Sequence, residues 1–140
     1  MSGAVYLDAS ALVKLAHSEV ESLALHDFLG TSQLVSSALA RTEVPRALRR
    51  RAVEAGHSPK SLLNRGAEIL GRCFLIPVDE DLLDTAGALD LPGLRSLDAI
   101  HLASAAFVSL NDPFVSYDRR QRQAAEEFGL ETVAPAYSTT

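Results

Sequence analysis

Residues 4–16 read AVYLDASALVKLA, and this stretch decides the fold. Its first four residues, Ala4–Leu7, are apolar or aromatic and predict a buried strand. Asp8 follows the strand directly, and Ser10 is a natural N-cap for the amphipathic helix that comes next. A strand that leads into a helix through an acidic junction predicts the first unit of an α/β fold.

The alternation of short apolar runs and longer helical segments continues to the end of the chain. Further strands are predicted at 33–36, 73–78, 114–117 and 132–134. Helices are predicted at 20–29, 37–56, 58–71, 79–89, 97–110 and 119–128. Ser96 is the predicted cap of the helix at 97–110, and Pro45 predicts a kink in the helix at 37–56. These elements indicate one α/β domain with a mostly parallel sheet at 1–136, followed by a flexible tail at 137–140.

The chain has 140 residues, of which 47% are hydrophobic and 22% are charged. This length suits one domain, and the composition is ordinary for a soluble globular protein. No apolar run approaches the roughly 20 residues of a membrane-spanning helix, and the N-terminus lacks the features of a signal peptide. The single cysteine, Cys73, lies in an apolar run, where packing is its expected role. We therefore expect a cytoplasmic protein with no membrane contact.

The formal net charge of −5 argues against nucleic-acid binding when taken alone, because phosphate contacts favour a basic footprint. The arginines are nevertheless concentrated in two short stretches, at 41–51 and at 119–122. Contact with RNA and an ordinary solvated helix face explain these stretches about equally well. Arg46 and Arg119 are the candidates for contact with a substrate.

Four acidic residues stand where a parallel sheet would bring them together. Asp8 and Asp118 each follow a predicted strand directly, and ligands of open α/β sheets bind beyond the carboxyl ends of the strands. Asp98 lies in the first turn of a helix, whose positive end tolerates negative charge. Glu43 lies one to two turns into the helix after the second strand, and its longer side chain could reach the same crevice.

Carboxylates brought together in this way would repel one another unless a cation lay between them. Carboxylate and water ligands suit Mg²⁺ or Mn²⁺, and such a site activates water and polarises a phosphodiester. The sequence contains no Cys–His spacing for zinc, no GxxxxGK[ST] phosphate loop and no GxSxG nucleophile elbow. The pattern therefore favours metal-dependent hydrolysis of a nucleic-acid backbone.

The acids sit in four motifs that together resemble those of one family. The motifs are YLDASALVK at 6–14, ARTEVPRAL at 40–48, LDAIHLA at 97–103 and VSYDR at 115–119. They resemble the acidic motifs of VapC toxins, the PIN-domain ribonucleases of type II toxin–antitoxin operons. Each motif alone is weak, but the four follow the family's order over about residues 5–126. Pro45 departs from the pattern, because an aliphatic helix former is expected there, and it puts the reach of Glu43 in question.

The resemblance implies a three-layer α/β/α fold with a parallel sheet of about five strands, in a protein that is usually a homodimer. It implies a Mg²⁺-dependent endoribonuclease acting on structured RNA, often tRNA or rRNA, and a cognate VapB-like antitoxin.

The resemblance also assigns roles to individual residues. Asp8 and Asp98 would bind the metal, and Glu43 and Asp118 would complete the cluster directly or through water. Ser10 and Ser116 would donate or accept hydrogen bonds behind these carboxylates.

Other interpretations remain open. Each acid taken alone could be an ordinary turn, helix-dipole or solvated residue, and the protein could be a non-catalytic PIN-like module that binds RNA or protein. A phosphatase of the haloacid-dehalogenase type would need a second aspartate where this chain has Ser10. His101 lies three residues after Asp98 and could be a ligand, although a core histidine with one hydrogen bond is the more ordinary interpretation. Lys14 is expected to face solvent.

Overall fold

A computed structural model describes residues 3–109 and 111–137 and contains one five-stranded sheet with seven helices among these residues. The strands are β1 (Ala4–Leu7), β2 (Gln33–Ser37), β3 (Phe74–Ile76), β4 (Phe114–Val115) and β5 (Thr132–Val133). The helices are α1 (Ala9–Ala16), α2 (Ser22–Leu29), α3 (Ala40–Ala55), α4 (Lys60–Arg72), α5 (Glu80–Gly87), α6 (Ser96–Val108) and α7 (Arg119–Glu127).

The sheet has the order β3-β2-β1-β4-β5, and every pair of neighbouring strands is parallel. The chain moves outward from β1 to β3 on one side and then returns to place β4 on the other side of β1. The order therefore reverses at β1, and the crevice beyond the carboxyl ends of β1 and β4 is the expected ligand site of such a sheet.

Helices cover both faces of the sheet. Val5 and Leu7 of β1 are fully buried and pack in one core with α1 to α4, whereas Tyr6 packs in a second core with α5 to α7. This alternation follows from the period of two in a strand, which sends successive side chains to opposite faces. The three-layer α/β/α architecture and its parallel five-stranded sheet are confirmed.

Two predicted helix caps are wrong. Ser10 does not cap α1, because Asp8 does so through its own side chain, and Ser96 is the first residue of α6 and has Arg95 before it as N-cap. Pro45 lies inside α3, which continues through it from Ala40 to Ala55. The fully buried Val44 and Leu48 hold this helix against the core, and their packing offsets the backbone hydrogen bond that proline removes.

The remaining differences concern the ends of elements: most elements are shorter than predicted by a few residues, whereas β2 ends one residue later. Leu110, the predicted last residue of the helix at 97–110, and residues 138–140 of the predicted tail lie outside the described residues. Cys73 is half-buried and its thiol donates to the carbonyl of Ile69, in keeping with packing. Within the described part of the chain, no helix is both long and apolar enough to cross a membrane.

Candidate active site

Asp8 lies at the junction of β1 and α1 and is only 5% exposed. One carboxylate oxygen, Oδ1, accepts hydrogen bonds from the hydroxyl of Ser10 at 2.6 Å and from the backbone amide of Ala11 at 3.1 Å. The other oxygen, Oδ2, accepts from the hydroxyl of Ser116 at 2.6 Å. Three donors therefore fix this carboxylate at the start of the helix.

The two serines connect this carboxylate to the end of β4. The Ser116 hydroxyl accepts from the backbone amide of Asp118 at 3.1 Å, and the Ser10 hydroxyl accepts from the backbone amide of Tyr117 at 2.9 Å. Each hydroxyl thus donates to Asp8 and accepts from the segment that carries Asp118. Both serines therefore form hydrogen bonds with a site carboxylate, as the family resemblance predicts.

Burial raises the pKa of Asp8 above its ordinary value. The charge of His101 and the three donors act in the opposite direction, yet burial outweighs them. The protein therefore holds a carboxylate where its charged form is disfavoured by its surroundings. A perturbed acid in a strand-end crevice is a mark of a functional site.

Asp118 and Asp98 approach the same edge from the starts of two helices. Asp118 is exposed and caps α7, and its Oδ1 accepts from the amides of Arg120 at 2.9 Å and Gln121 at 3.4 Å. Asp98 is half-buried in the first turn of α6, and its pKa is raised by burial and then by the charge of Asp118. The side-chain amide of Gln121 donates to the backbone carbonyl of Asp98 at 3.4 Å, so the two helix starts are joined.

Glu43 reaches the site from α3 and contacts a residue of the opposite helical layer. Its Oε1 lies 2.6 Å from Nε2 of His101, which is on α6 and only 3% exposed. The other ring nitrogen, Nδ1, lies 2.8 Å from the hydroxyl of Tyr6. Burial alone would lower the pKa of His101, but the hydrogen bond and charge of Glu43, with two nearby aspartates, raise it. The expected core histidine thus has two hydrogen bonds, not one.

The structure therefore brings the four acids to one edge of the sheet, where Asp8, Glu43 and Asp98 raise the pKa of His101 and Asp118 raises that of Asp98. Carboxylate and hydroxyl oxygens are donors of the kind that Mg²⁺ or Mn²⁺ prefers. Within residues 3–109 and 111–137, no three His, Cys, Asp or Glu side chains are arranged closely enough to hold a metal ion. The protein's own donors hold Asp8, Glu43 and Asp118 in place.

The basic residues near the site divide into two kinds. Arg46 and Arg119, the candidates for substrate contact, are exposed on α3 and at the start of α7. The expectation for Lys14 is wrong, because its side chain is only 12% exposed and forms ion pairs with Glu19 and Glu21. Its ammonium group also lies 4.9 Å from the centre of the Tyr117 ring, so Lys14 is committed to the protein interior.

Sequence reasoning did not identify Tyr6 or Gln121 as parts of the site. Tyr6 reads as an ordinary strand aromatic, and Gln121 reads as one polar residue in a polar helix. Gln121 is 1% exposed, although the predicted helix gives no sign that this position faces inward more strongly than its neighbours. The period of 3.6 places it near the buried Ala124 and Ala125, and this was the available signal.

The larger cavities lie away from the acids. One of about 410 Å³ lies between α3 and α4, lined by Val44, Leu48, Leu63 and Leu70 with Arg41 and Arg49 among its polar residues. Its apolar lining suits packing against another apolar group. The acidic edge of the sheet, with its buried and perturbed carboxylates, is the better candidate for chemistry.

Known proteins resemble this chain in sequence and in fold. Residues 5–127 match the family model described as the PIN domain. The chain is similar to Ribonuclease VapC46 of Mycobacterium tuberculosis, with 44% identity over 135 residues that cover 95% of this chain and 98% of the relative. It is also similar to Ribonuclease VapC35 of the same species, with 41% identity over 137 residues covering 94% and 96% of the two chains.

Solved structures with the same fold are more distant in sequence. PAE2754 from Pyrobaculum aerophilum aligns with a TM-score of 0.61 and 18% identity, covering 94% of this chain and 92% of that one. VapBC2 from Rickettsia felis, solved bound to a DNA fragment from its promoter, aligns with a TM-score of 0.62 and 10% identity. That alignment covers 95% of this chain and 98% of the other.

Proposed function

Because the chain belongs to the VapC family of PIN-domain proteins, we propose that it is a Mg²⁺-dependent endoribonuclease. It would act as the toxin of a type II toxin–antitoxin pair in the cytoplasm, on structured RNA such as tRNA or rRNA. Two relatives carry the name ribonuclease, which supports the reaction class. The observation that carries the proposal is the meeting of Asp8, Glu43, Asp98 and Asp118 at one edge of the parallel sheet.

The proposed mechanism divides the work among these side chains. Asp8 and Asp98 would hold the cation, and Glu43 and Asp118 would complete its surroundings directly or through water. A bound Mg²⁺ or Mn²⁺ would supply an activated water and polarise the phosphodiester. The hydroxyls of Ser10 and Ser116 keep the Asp8 carboxylate oriented. The raised pKa values of Asp8 and Asp98 fit this role, because a cation would offset the charge that their surroundings disfavour.

Substrate contact is proposed for the exposed arginines. Arg46 lies three residues after Glu43 on α3, which places the two on neighbouring positions of one helical face. Arg119 directly follows Asp118 at the start of α7. One arginine guanidinium can bind two oxygens of a phosphate at once. Arg46 and Arg119, beside the acids, would anchor the RNA backbone on either side of the cleaved bond.

The proposed partners are a cognate VapB-like antitoxin and a second copy of the chain. The antitoxin is supported by the Rickettsia felis structure, whose name identifies a VapB–VapC pair, and the homodimer by the family resemblance alone. A search for a small reading frame directly upstream of the gene, co-expression of its product with this chain and light scattering of the purified protein test both. Recovery of a lone monomer would contradict them.

The proposed reaction is tested by cleavage of a folded RNA in Mg²⁺ or Mn²⁺, with EDTA as a control. We expect cleavage by the wild type, none in EDTA and none by Asp98→Ala. Sequencing of new RNA 5′ ends after induced expression of the same two proteins would identify the target. If the wild type neither cleaves RNA nor binds Mn²⁺, the proposal fails and a non-catalytic binding module takes its place.

A further inference from the structure

We propose that Tyr6 and His101 are positioning residues, which fix the Glu43 carboxylate so that only its Oε2 faces the cation or its bound water. This inference rests on the proposed function and adds to it two residues outside the four acids. The basis is one chain of hydrogen bonds, from the Tyr6 hydroxyl through the His101 ring to Glu43 Oε1.

The hydrogen bonds occupy both nitrogens of the His101 ring. A carboxylate only accepts, so Nε2 carries the proton that it donates to Glu43 Oε1 at 2.6 Å. Nδ1 shares a hydrogen bond of 2.8 Å with the Tyr6 hydroxyl. With both nitrogens in hydrogen bonds, His101 has no free lone pair to offer a cation, and Glu43 is the acid of the four that it contacts by a hydrogen bond.

Tyr6, at the far end of this chain of hydrogen bonds, is held rigidly. Tyr6 lies in the centre of the sheet and stacks on Phe114, with ring centres 5.2 Å apart and planes 9° from parallel. His101 meets the Tyr6 ring edge-on, with ring centres 5.9 Å apart. Both contacts lie in the packed core between the sheet and α6, where side chains have little freedom. The His101 ring is therefore oriented by packing as well as by hydrogen bonds.

The contact also connects the helical layers on the two faces of the sheet. Glu43 is on α3, which packs with the helices on one face of the sheet, whereas His101 is on α6, which packs on the other face. Their hydrogen bond passes over the carboxyl ends of the strands. Tyr6 is on β1, two residues before Asp8. The chain of hydrogen bonds therefore links the position of Glu43 to the strand that leads into Asp8.

This arrangement limits what Glu43 can do. Oε1 is committed to His101, so Glu43 offers one oxygen rather than a bidentate carboxylate. A single oxygen suits Mg²⁺, which keeps several waters and demands near-octahedral geometry. Partners that orient a ligand carboxylate commonly change metal affinity or activity by about 10- to 100-fold when they are removed.

The test compares His101→Gln, Glu43→Gln and the double variant in RNA cleavage and in calorimetric titration with Mn²⁺. We expect His101→Gln to lower kcat by about 10- to 100-fold with the KM for RNA within about twofold. The double variant should be close to Glu43→Gln, because Glu43 is the acid that His101 contacts by a hydrogen bond. Losses that multiply in the double variant, or an unchanged kcat in His101→Gln, would overturn the proposal.

Tyr6→Phe provides a second variant that keeps the stacked ring and removes only the hydroxyl. We expect a smaller loss of kcat, about three- to tenfold, since the ring of His101 keeps its packing. Tyr137→Phe is the control, because the side chain of Tyr137 is 55% exposed and lies outside the hydrogen bonds described for the site. Equal losses in the two phenylalanine variants would contradict a specific role for Tyr6.

The readouts separate this proposal from the proposed function. If the wild type binds Mn²⁺ but cleaves no RNA, the proposed reaction fails and the Mn²⁺ affinities alone decide the positioning role. In the metal-free protein, the ¹⁵N resonances of the His101 ring should shift in both Glu43→Gln and Tyr6→Phe. Resonances that are the same in all three proteins would show that the ring is not held by these partners, and the proposal would fall.

Discussion

The four acids form two pairs that are held in different ways. Asp8 and Glu43, the inner acids, bind side-chain donors from distant parts of the chain, namely Ser116 and His101. Asp98 and Asp118, the outer acids, stand at the starts of α6 and α7, and Asp118 is exposed and held by backbone amides of its own helix. The core thus fixes the inner acids, whereas local helix geometry alone places Asp118.

This difference suggests a division of roles. Carboxylates that are fixed before a cation arrives cost little to organise, so Asp8 should determine where the cation binds and Glu43 should complete its surroundings. Asp118 is exposed, so its side chain can adjust its position and should contribute more to orienting water or RNA. Variants of the two pairs should therefore differ in size of effect and in the step that they impair.

The largest expected effect separates Asp8→Asn from Asp118→Asn. We expect Asp8→Asn to lower kcat by about 1,000-fold, roughly 4 kcal/mol of transition-state stabilisation, and to abolish calorimetric binding of Mn²⁺. Asp118→Asn should lower kcat by about 10- to 100-fold and retain measurable Mn²⁺ binding. Equal loss of Mn²⁺ binding in the two variants would contradict the division.

Metal binding should also appear as stability. At a free Mn²⁺ concentration about 100 times the Kd, the free energy of unfolding of the wild type should rise by about 2.7 kcal/mol, because the cation binds the folded state. Urea denaturation with Mn²⁺ and with EDTA measures the difference. Asp118→Asn should gain the same stabilisation at the same multiple of its own Kd, and Asp8→Asn should gain none. A cation effect that persists in Asp8→Asn would place the ion elsewhere.

A smaller effect on Mn²⁺ affinity is expected when a hydrogen-bond donor to an inner acid is removed. Ser116→Ala removes the donor to Asp8 Oδ2 and the acceptor for the Asp118 amide, so Mn²⁺ affinity should fall by about tenfold. Isothermal titration measures this change. Ser61→Ala, at an exposed position of α4, is the matched control and should bind Mn²⁺ as the wild type does. An affinity for Ser116→Ala equal to that of Ser61→Ala would argue that Asp8 is held well enough without this hydroxyl.

The smallest expected effect is a gain in the stability of the folded protein. The pKa of Asp8 is raised by burial, so the folded protein loses stability as pH rises through that pKa. Asp8→Asn removes the buried charge, keeps an oxygen that accepts from Ser10 and Ala11, and places an NH₂ group that donates to the Ser116 hydroxyl. In EDTA near pH 8 it should be more stable by about 1 kcal/mol. Near pH 3 the gain should vanish, because the wild-type carboxyl is then protonated in both states. Thermal unfolding at the two pH values measures it, and a gain that is larger in acid would reverse the sign.

Much of the fold followed from local pattern. The apolar runs and the helical segments alternate clearly enough to predict the strands and helices, and parallel pairing places Asp8 and Asp118 at the same edge. The caps were harder, because aspartate and serine are both good N-cap residues and they stand two apart at the start of α1. The path through Pro45 was also beyond local pattern, since burial of Val44 and Leu48 outweighs the cost of the proline.

The sequence by itself determined which acids meet, because a strand end or a helix start places Asp8, Asp98 and Asp118 by backbone geometry. Only the tertiary structure decided how the inner acids are held. Glu43 and His101 are 58 residues apart and His101 and Tyr6 are 95 apart, on elements from different layers. Such contacts arise from packing over the ends of the strands, and the spacing of the residues in the sequence does not predict them.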